Sequence, residues 1–407
     1  MDELKKDKYN LILWPIKFLW IIILLPKEFQ FFLYLFFLIY LIIKFGVKLD
    51  KLSLMALLIP IVQFISIVMQ VFIYPPEFSL SRLFAGINTM MIWFIAIMLF
   101  NFIRFNYKKD YLDKISLYMF INMCILFFVY ILYFILDRDS ISIMGYTLLL
   151  RRDDWVEGVN VGRFCAFMES VLGPSHLFCF AFPLSLYFVK KSRFILPKLF
   201  YCCCSYLPIV ETNSRIGTIV CFVIMILGLF YIISNHNSSN KKRLAIFSFF
   251  SIAIVLTVIF AIMYRAQLID IFNSYLYSRQ GSTNTRFKIY SESTSYVLEN
   301  SPLFGIGIKY MIGDFPLGSH STYVGLLYKT GIFGCLIFLL TIMYIYYKIY
   351  KNMNLYIFLS NILIFVLFIF ADIDGADWYI VSYFIVWGIY ISTNKCCDNG
   401  YQLELIY

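Results

Sequence analysis

From residue 10 onward the sequence alternates between apolar runs and short charged turns. A helix needs roughly 20 apolar residues to cross the ~30 Å hydrocarbon core of a bilayer. Runs of that order fall at about 10–25, 29–44, 52–74, 83–103, 113–136, 172–189, 195–212, 215–234, 245–264, 321–346, 354–371 and 377–393. The pattern predicts an all-α polytopic membrane protein of about 12 transmembrane helices. The first run is the shortest. It holds Pro15 and Lys17, so it reads either as a span or as a segment lying in the interface.

Basic residues orient these spans. With the N-terminus inside, every other turn carries the cations: Lys44, Lys48 and Lys51; Arg104, Lys108, Lys109 and Lys114; Lys190, Lys191, Arg193 and Lys198; Lys241, Lys242 and Arg243; Lys348 and Lys351; and Lys395. These turns are short, which is where positive charge sets topology, and the pattern predicts both termini on the cytoplasmic side. Two outer segments are long, 137–171 and 265–320. They divide the chain into N-terminal helices (1–136), a first outer loop, central helices (172–264), a large outer catalytic loop, and C-terminal helices with a short tail (321–407). Long loops on a compact bundle are usually functional. These two hold Arg138, Arg151, Arg152, Arg163, Arg265, Arg279 and Arg286 on the face where arginine is normally depleted.

Composition agrees. The 407 residues are 61% hydrophobic and only 14% charged, against about a quarter charged in soluble domains. The net charge of +10 sits mostly in turns, so it reads as topology and not as a nucleic-acid surface. The ten cysteines show no paired metal spacing and read as packing or membrane-edge thiols. No signal-peptide cleavage pattern follows Lys5, Lys6 and Lys8. No phosphate-binding loop, dinucleotide fingerprint or zinc motif occurs. Asp372, Asp374 and Asp377 lack the acid that would close a calcium loop and read as a polar outer turn.

Candidate chemistry begins with "ETNSRIGTIV", 211–220. Asn213 or Ser214 can cap the helix there, and Arg215 falls in its first turn, where the helix dipole disfavours a cation by roughly 0.3–1 kcal/mol. A bound anion such as a diphosphate would resolve that cost; snorkelling to lipid phosphates is the other reading. Gly217 leaves room for a ligand or a neighbouring helix. His320, in "GSHSTYVGLL", also stands at an outer helix start, where the dipole favours neutral imidazole. It reads as a general base or as a capping, water-facing histidine. Arg279 and Arg286 precede it in the large loop. Arg163 and Glu169 flank the other loop, with Glu169 either orienting a base, binding a sugar hydroxyl, or standing as a surface carboxylate. His176 and His236 are weaker candidates.

Taken in order, "SRIG" at 214–217, "TRFKIY…LENSPLFGIGIKYM" at 285–311 and "SHSTYVGLLYKTGIFGCLIFLL" at 319–340 resemble the O-antigen ligase and polymerase superfamily, the Wzy-type polymerases among them. "GRFCAFMESVLGPSHLFCFAFP" resembles the family's arginine, glycine and Glu-Pro-Ser segment, with "SVLG" separating Glu169 from Pro174. His320 is followed by Ser321 where the family pattern has asparagine. Arg151 and Gly162 show an arginine, ten residues, glycine spacing reported for some polymerase outer loops.

The resemblance implies a metal-independent, cofactor-free glycosyltransferase of the bacterial inner membrane, with its active site facing outward. It would act on oligosaccharide carried by undecaprenyl diphosphate, with membrane lipid and a chain-length regulator as candidate partners and no nucleic acid. Arg215, Arg286 and His320 would be catalytic. Arg163, Glu169, Arg279, Arg151, Ser214 and Gly217 would bind substrate. Polymerisation of repeat units comes first, and ligation of finished glycan to lipid A core or protein is the alternative. A lipid-linked oligosaccharide flippase fits the helix count, but such a protein would show two related halves, and none is visible here.

Overall fold

The structure is a computed structural model, and it describes residues 11–73, 80–108, 110–143, 146–156, 159–168, 170–234, 280–312 and 315–393. The molecule is predominantly helical. The first apolar run breaks into a short 3-10 turn and two short helices, α1 (Trp14–Lys17) and α2 (Leu19–Leu24). Pro15 and the non-helical Phe18 account for the interruption. There follow α3 (Lys27–Phe45), α4 (Lys51–Ile73), α5 (Leu80–Asn106) and α6 (Tyr111–Leu136). Beyond these lie α7 (Gly173–Val189), α8 (Ile195–Glu211) and α9 (Arg215–Ser234). The chain continues as α10 (Gln280–Asn300), α11 (Thr322–Asn352), α12 (Leu355–Leu367) and α13 (Asp377–Ser392).

Six of these, α3, α4, α5, α6, α9 and α11, are long and apolar enough to cross a membrane among the described residues; α7 and α12 are shorter apolar helices. The expected span at 245–264 lies outside the described residues. The segment 137–171, expected as loop, instead folds into two antiparallel hairpins: β1 (Ser140–Ile143) with β2 (Tyr146–Leu149), and β3 (Arg151–Val156) with β4 (Val159–Phe164). Within the large outer segment, α10 is mostly polar but buries Ile289 and Val297, and β5 (Met311–Ile312) pairs with β6 (Phe315–Pro316).

The centre of the bundle is α13, every residue of which is buried, packed along α5. Gly388 lets the two backbones approach, since a Cβ there would stand 3.2 Å from the Phe100 carbonyl. Edge-to-face rings lock the seam, Phe384 meeting both Trp93 and Phe100 at 5.9 Å.

The turns are sorted by end. At one end Arg104 grips Asp50, Lys191 pairs with Asp113 at 2.8 Å, Asn354 bonds Tyr187 at 3.0 Å and Asn352 donates to the Ile391 carbonyl. This is the end that holds the cationic turns. The hairpins, α10 and the starts of α9, α11 and α13 gather at the opposite end.

Candidate functional site

At the end opposite the cationic turns, α11 begins where Ser321 accepts from the Val324 N–H at 3.4 Å. Thr322 then clamps this start to the turn after α12. Its N–H reaches the Phe368 carbonyl at 2.9 Å, its hydroxyl donates to Ala371 at 2.7 Å, and it accepts from the Ile373 N–H at 2.8 Å. That clamp brings Asp372 against His320, whose N–H donates to Oδ2 at 3.0 Å. From the other side the Tyr290 hydroxyl on α10 donates to the His320 carbonyl at 2.8 Å. His320 itself adopts φ of 65°. Histidine is among the few residues that visit this left-handed region, at a cost of order 1–2 kcal/mol. With both backbone groups held, His320 keeps one side open to the surface of the site while its surroundings enclose the rest.

Arg286 lies one helical turn before Tyr290 and acts on His320 electrostatically, as does Lys309. The surrounding protein lowers the imidazole's pKa, Asp372 opposes that, and Arg286 and Lys309 reinforce it, for a net shift below 6.5. That direction favours the neutral imidazole. Tyr290 is pushed up to about 12 by burial, with Arg286 opposing. Beneath them Lys329 of α11 pairs with Asp374, which also accepts from the Trp93 indole at 2.8 Å. Burial would raise the Asp374 carboxyl, but Lys329 and Lys309 outweigh it and hold it ionised. Asp372 Oδ1 is a buried oxygen with no hydrogen-bond partner among the described residues.

Arg215 opens α9 after Asn213, which is left-handed with φ of 49°. Ser214 caps this helix by accepting from the Gly217 N–H at 3.3 Å. Gly217 faces the neighbouring helix α7; a Cβ there would fall 2.3 Å from Ser175 Oγ. The half-buried turn is braced by Arg163, whose Nε donates to the Thr212 carbonyl at 3.0 Å. Arg151 turns its guanidinium across Gly162 on the paired strand, where any side chain would collide with it, and meets Asp139 at 3.4 Å. The ten-residue spacing thus has a local cause in the β3–β4 register, which sets Gly162 diagonal to Arg151.

Arg286 is brought to His320, and Arg163 to the Arg215 turn. The two groups share one end of the bundle, because α9 runs antiparallel to α12, with Tyr231 and Tyr356 stacked at the other end. His176 is a buried packing residue, stacked on Tyr379 at 4.3 Å with Nδ1 3.0 Å from the Tyr383 hydroxyl. Glu169, Arg279 and His236 lie outside the described residues.

The sequence reading missed Asp372, Tyr290, Lys309, Lys329 and Asp374. In sequence Asp372 and Asp374 read as a polar outer turn, and it is the distant Thr322 that clamps this turn so that Asp372 meets His320 and Asp374 meets Lys329. One signal was present: Lys329 is a cation inside an apolar run, which by itself marks a functional site or a buried partner.

Residues 200–339, about a third of the chain, match the family model described as O-antigen ligase. The match takes in Arg215, Arg286, His320 and Lys329, and ends before Asp372. No curated protein and no solved structure matches the chain. With Arg215 and His320 each heading a helix inside the matched stretch, and Arg286 beside His320, residues 200–339 are similar to the O-antigen ligase family and support a relation to the O-antigen ligase and polymerase superfamily.

Proposed function

We propose that the chain polymerises lipid-linked oligosaccharide repeat units, moving a growing glycan from undecaprenyl diphosphate to a hydroxyl of the next unit at the outer face of the bacterial inner membrane. The observation that carries this reading is His320, fixed by its backbone to Asp372 and Tyr290 and flanked by Arg286, with its surroundings favouring the neutral ring. A neutral imidazole can take a proton at pH 7. The acceptor hydroxyl gives its proton to the His320 ring as its oxygen bonds to the anomeric carbon. The carbon–oxygen bond to the diphosphate breaks, and the diphosphate leaves with the bonding pair, inverting the centre. Arg215 and Arg286, with Arg163 bracing the Arg215 turn and Arg279 and Glu169 as further contacts, stabilise the charge on the leaving diphosphate. Diphosphate is already a good leaving group, so positioning and charge stabilisation suffice and the scheme runs without a metal ion.

Ligation of finished glycan to lipid A core or protein is the second reading, favoured by the description of the matched family. Both reactions use the same base and the same leaving group and differ only in the acceptor. The test is surface polysaccharide resolved on a gel from a strain deleted for the gene. Core bearing a single repeat supports polymerisation. Long chains stranded on undecaprenyl diphosphate mean ligation. Single repeats trapped on the cytoplasmic face overturn both and indicate a flippase.

A further inference from the structure

We propose that the chain binds one anionic phospholipid in a cleft at the end of the bundle opposite His320. The cleft opens between α6, the last turn of α7 and the first turns of α8, with a volume of about 590 Å³. That lies within the ~300–1,000 Å³ of sites that enclose small amphiphiles. Its walls are apolar and aromatic. Phe120 packs against Phe188 at 4.9 Å and Tyr201 at 5.2 Å, and Met123 and Phe127 continue the surface. Such a surface accepts an acyl chain.

The mouth is cationic. Lys191 and Lys198 both line it. Lys198 is 3% exposed, and its ammonium donates to the Lys190 carbonyl at 3.0 Å. No carboxylate pairs with Lys198 among the described residues. A buried ammonium without a counter-ion is costly at a membrane boundary, and a phosphate would supply the missing charge. Lys191 is answered by Asp113 at 2.8 Å, both side chains exposed. The same turn adds Lys190, over the Tyr231 ring at 5.5 Å, and exposed Arg193 beside the cleft, so cations outnumber carboxylates around the mouth among the described residues. A basic mouth on an apolar cleft between helices fits an acidic headgroup with its chain buried below. A zwitterionic lipid would bring a second cation to a place that already has a surplus.

The test uses the full-length, delipidated protein in detergent, titrated with phosphatidylglycerol or phosphatidylcholine of the same chain length and read by native mass spectrometry. One phosphatidylglycerol is expected to be retained, with a preference of about tenfold or more, on the scale set by two lysines. Lys198→Gln should abolish the preference. Lys191→Gln, at an exposed position, should weaken it several-fold, and it decides the matter where Lys198→Gln fails to fold. Equal retention of the two lipids by the wild type, or an unchanged preference in Lys191→Gln, overturns the proposal. The readout does not depend on glycan transfer.

Discussion

His320 is held by its backbone, so its ring can be changed with little effect on its frame. Asparagine also tolerates the left-handed region, and His320→Asn keeps the N–H bond to Asp372 and the carbonyl bond from Tyr290. The variant is expected to fold and insert normally while losing about 10²–10⁴-fold in transfer, the share general base catalysis usually carries. Its neighbours make a sharper test. The imidazole lies below 6.5, so transfer should be at full rate at pH 7 and fall on its acid limb as pH drops through that lowered value. Asp372 raises the His320 pKa, so Asp372→Asn should move the acid limb to still lower pH. Arg286 lowers it, so Arg286→Gln should move the limb up toward 6.5. Limbs that shift together, or in the reverse order, would remove His320 from the role of base. The sequence could suggest His320 and Arg286, since both are residue types suited to the chemistry near a helix start. It could not pair them with Asp372, because that contact is made by chain folding and leaves no local signature.

At the scale of elements, Lys329, Asp374 and Trp93 join α11, the turn before α13, and α5. The two charged side chains are 3% and 6% exposed. Removing Lys329 leaves the buried Asp374 charge with only the field of Lys309 to offset it, a loss of up to about 3–5 kcal/mol. Lys329→Met is therefore expected to lower the unfolding temperature in detergent markedly. Adding Asp374→Asn should recover much of the loss, which a thermal melt of both variants would show; no recovery would mean that the pair does not act as a unit. α11 is also broken within its first third, at Gly331 with φ of 63°. There the Ile332 N–H donates to Pro302 and the Ile306 N–H to Tyr328, so the "PLFGIG" turn docks into the break. The motif was legible as residues, but its purpose as a plug for a broken helix was not, since two distant backbones meet there.

Over the whole molecule, the lysine-rich short turns lie at the end opposite His320 among the described residues, and that makes orientation testable. Arg138 is exposed beside the first hairpin and Lys351 is exposed at the other end. With the native cysteines replaced, Arg138→Cys is expected to react with a membrane-impermeant thiol reagent in intact cells. Lys351→Cys should react only after lysis. The reverse pattern would invert the topology and exclude an outward-facing site.

What the sequence determined by itself was the helical class, the boundaries of most apolar segments, the sorting of cations to alternate turns and the identity of Arg215, Arg286 and His320 as candidates. Each is written locally, in the length of an apolar run, the charge of a turn or the residues at a helix start. The tertiary structure decided the rest. It made hairpins of an expected loop, used Arg163 to brace a turn, let Arg151 cover Gly162, and set two aspartates from a seemingly plain turn under His320 and Lys329. Those outcomes depend on which ends of which helices pack together, and helix packing is a property of surfaces matched across the whole bundle, which no short stretch of sequence records.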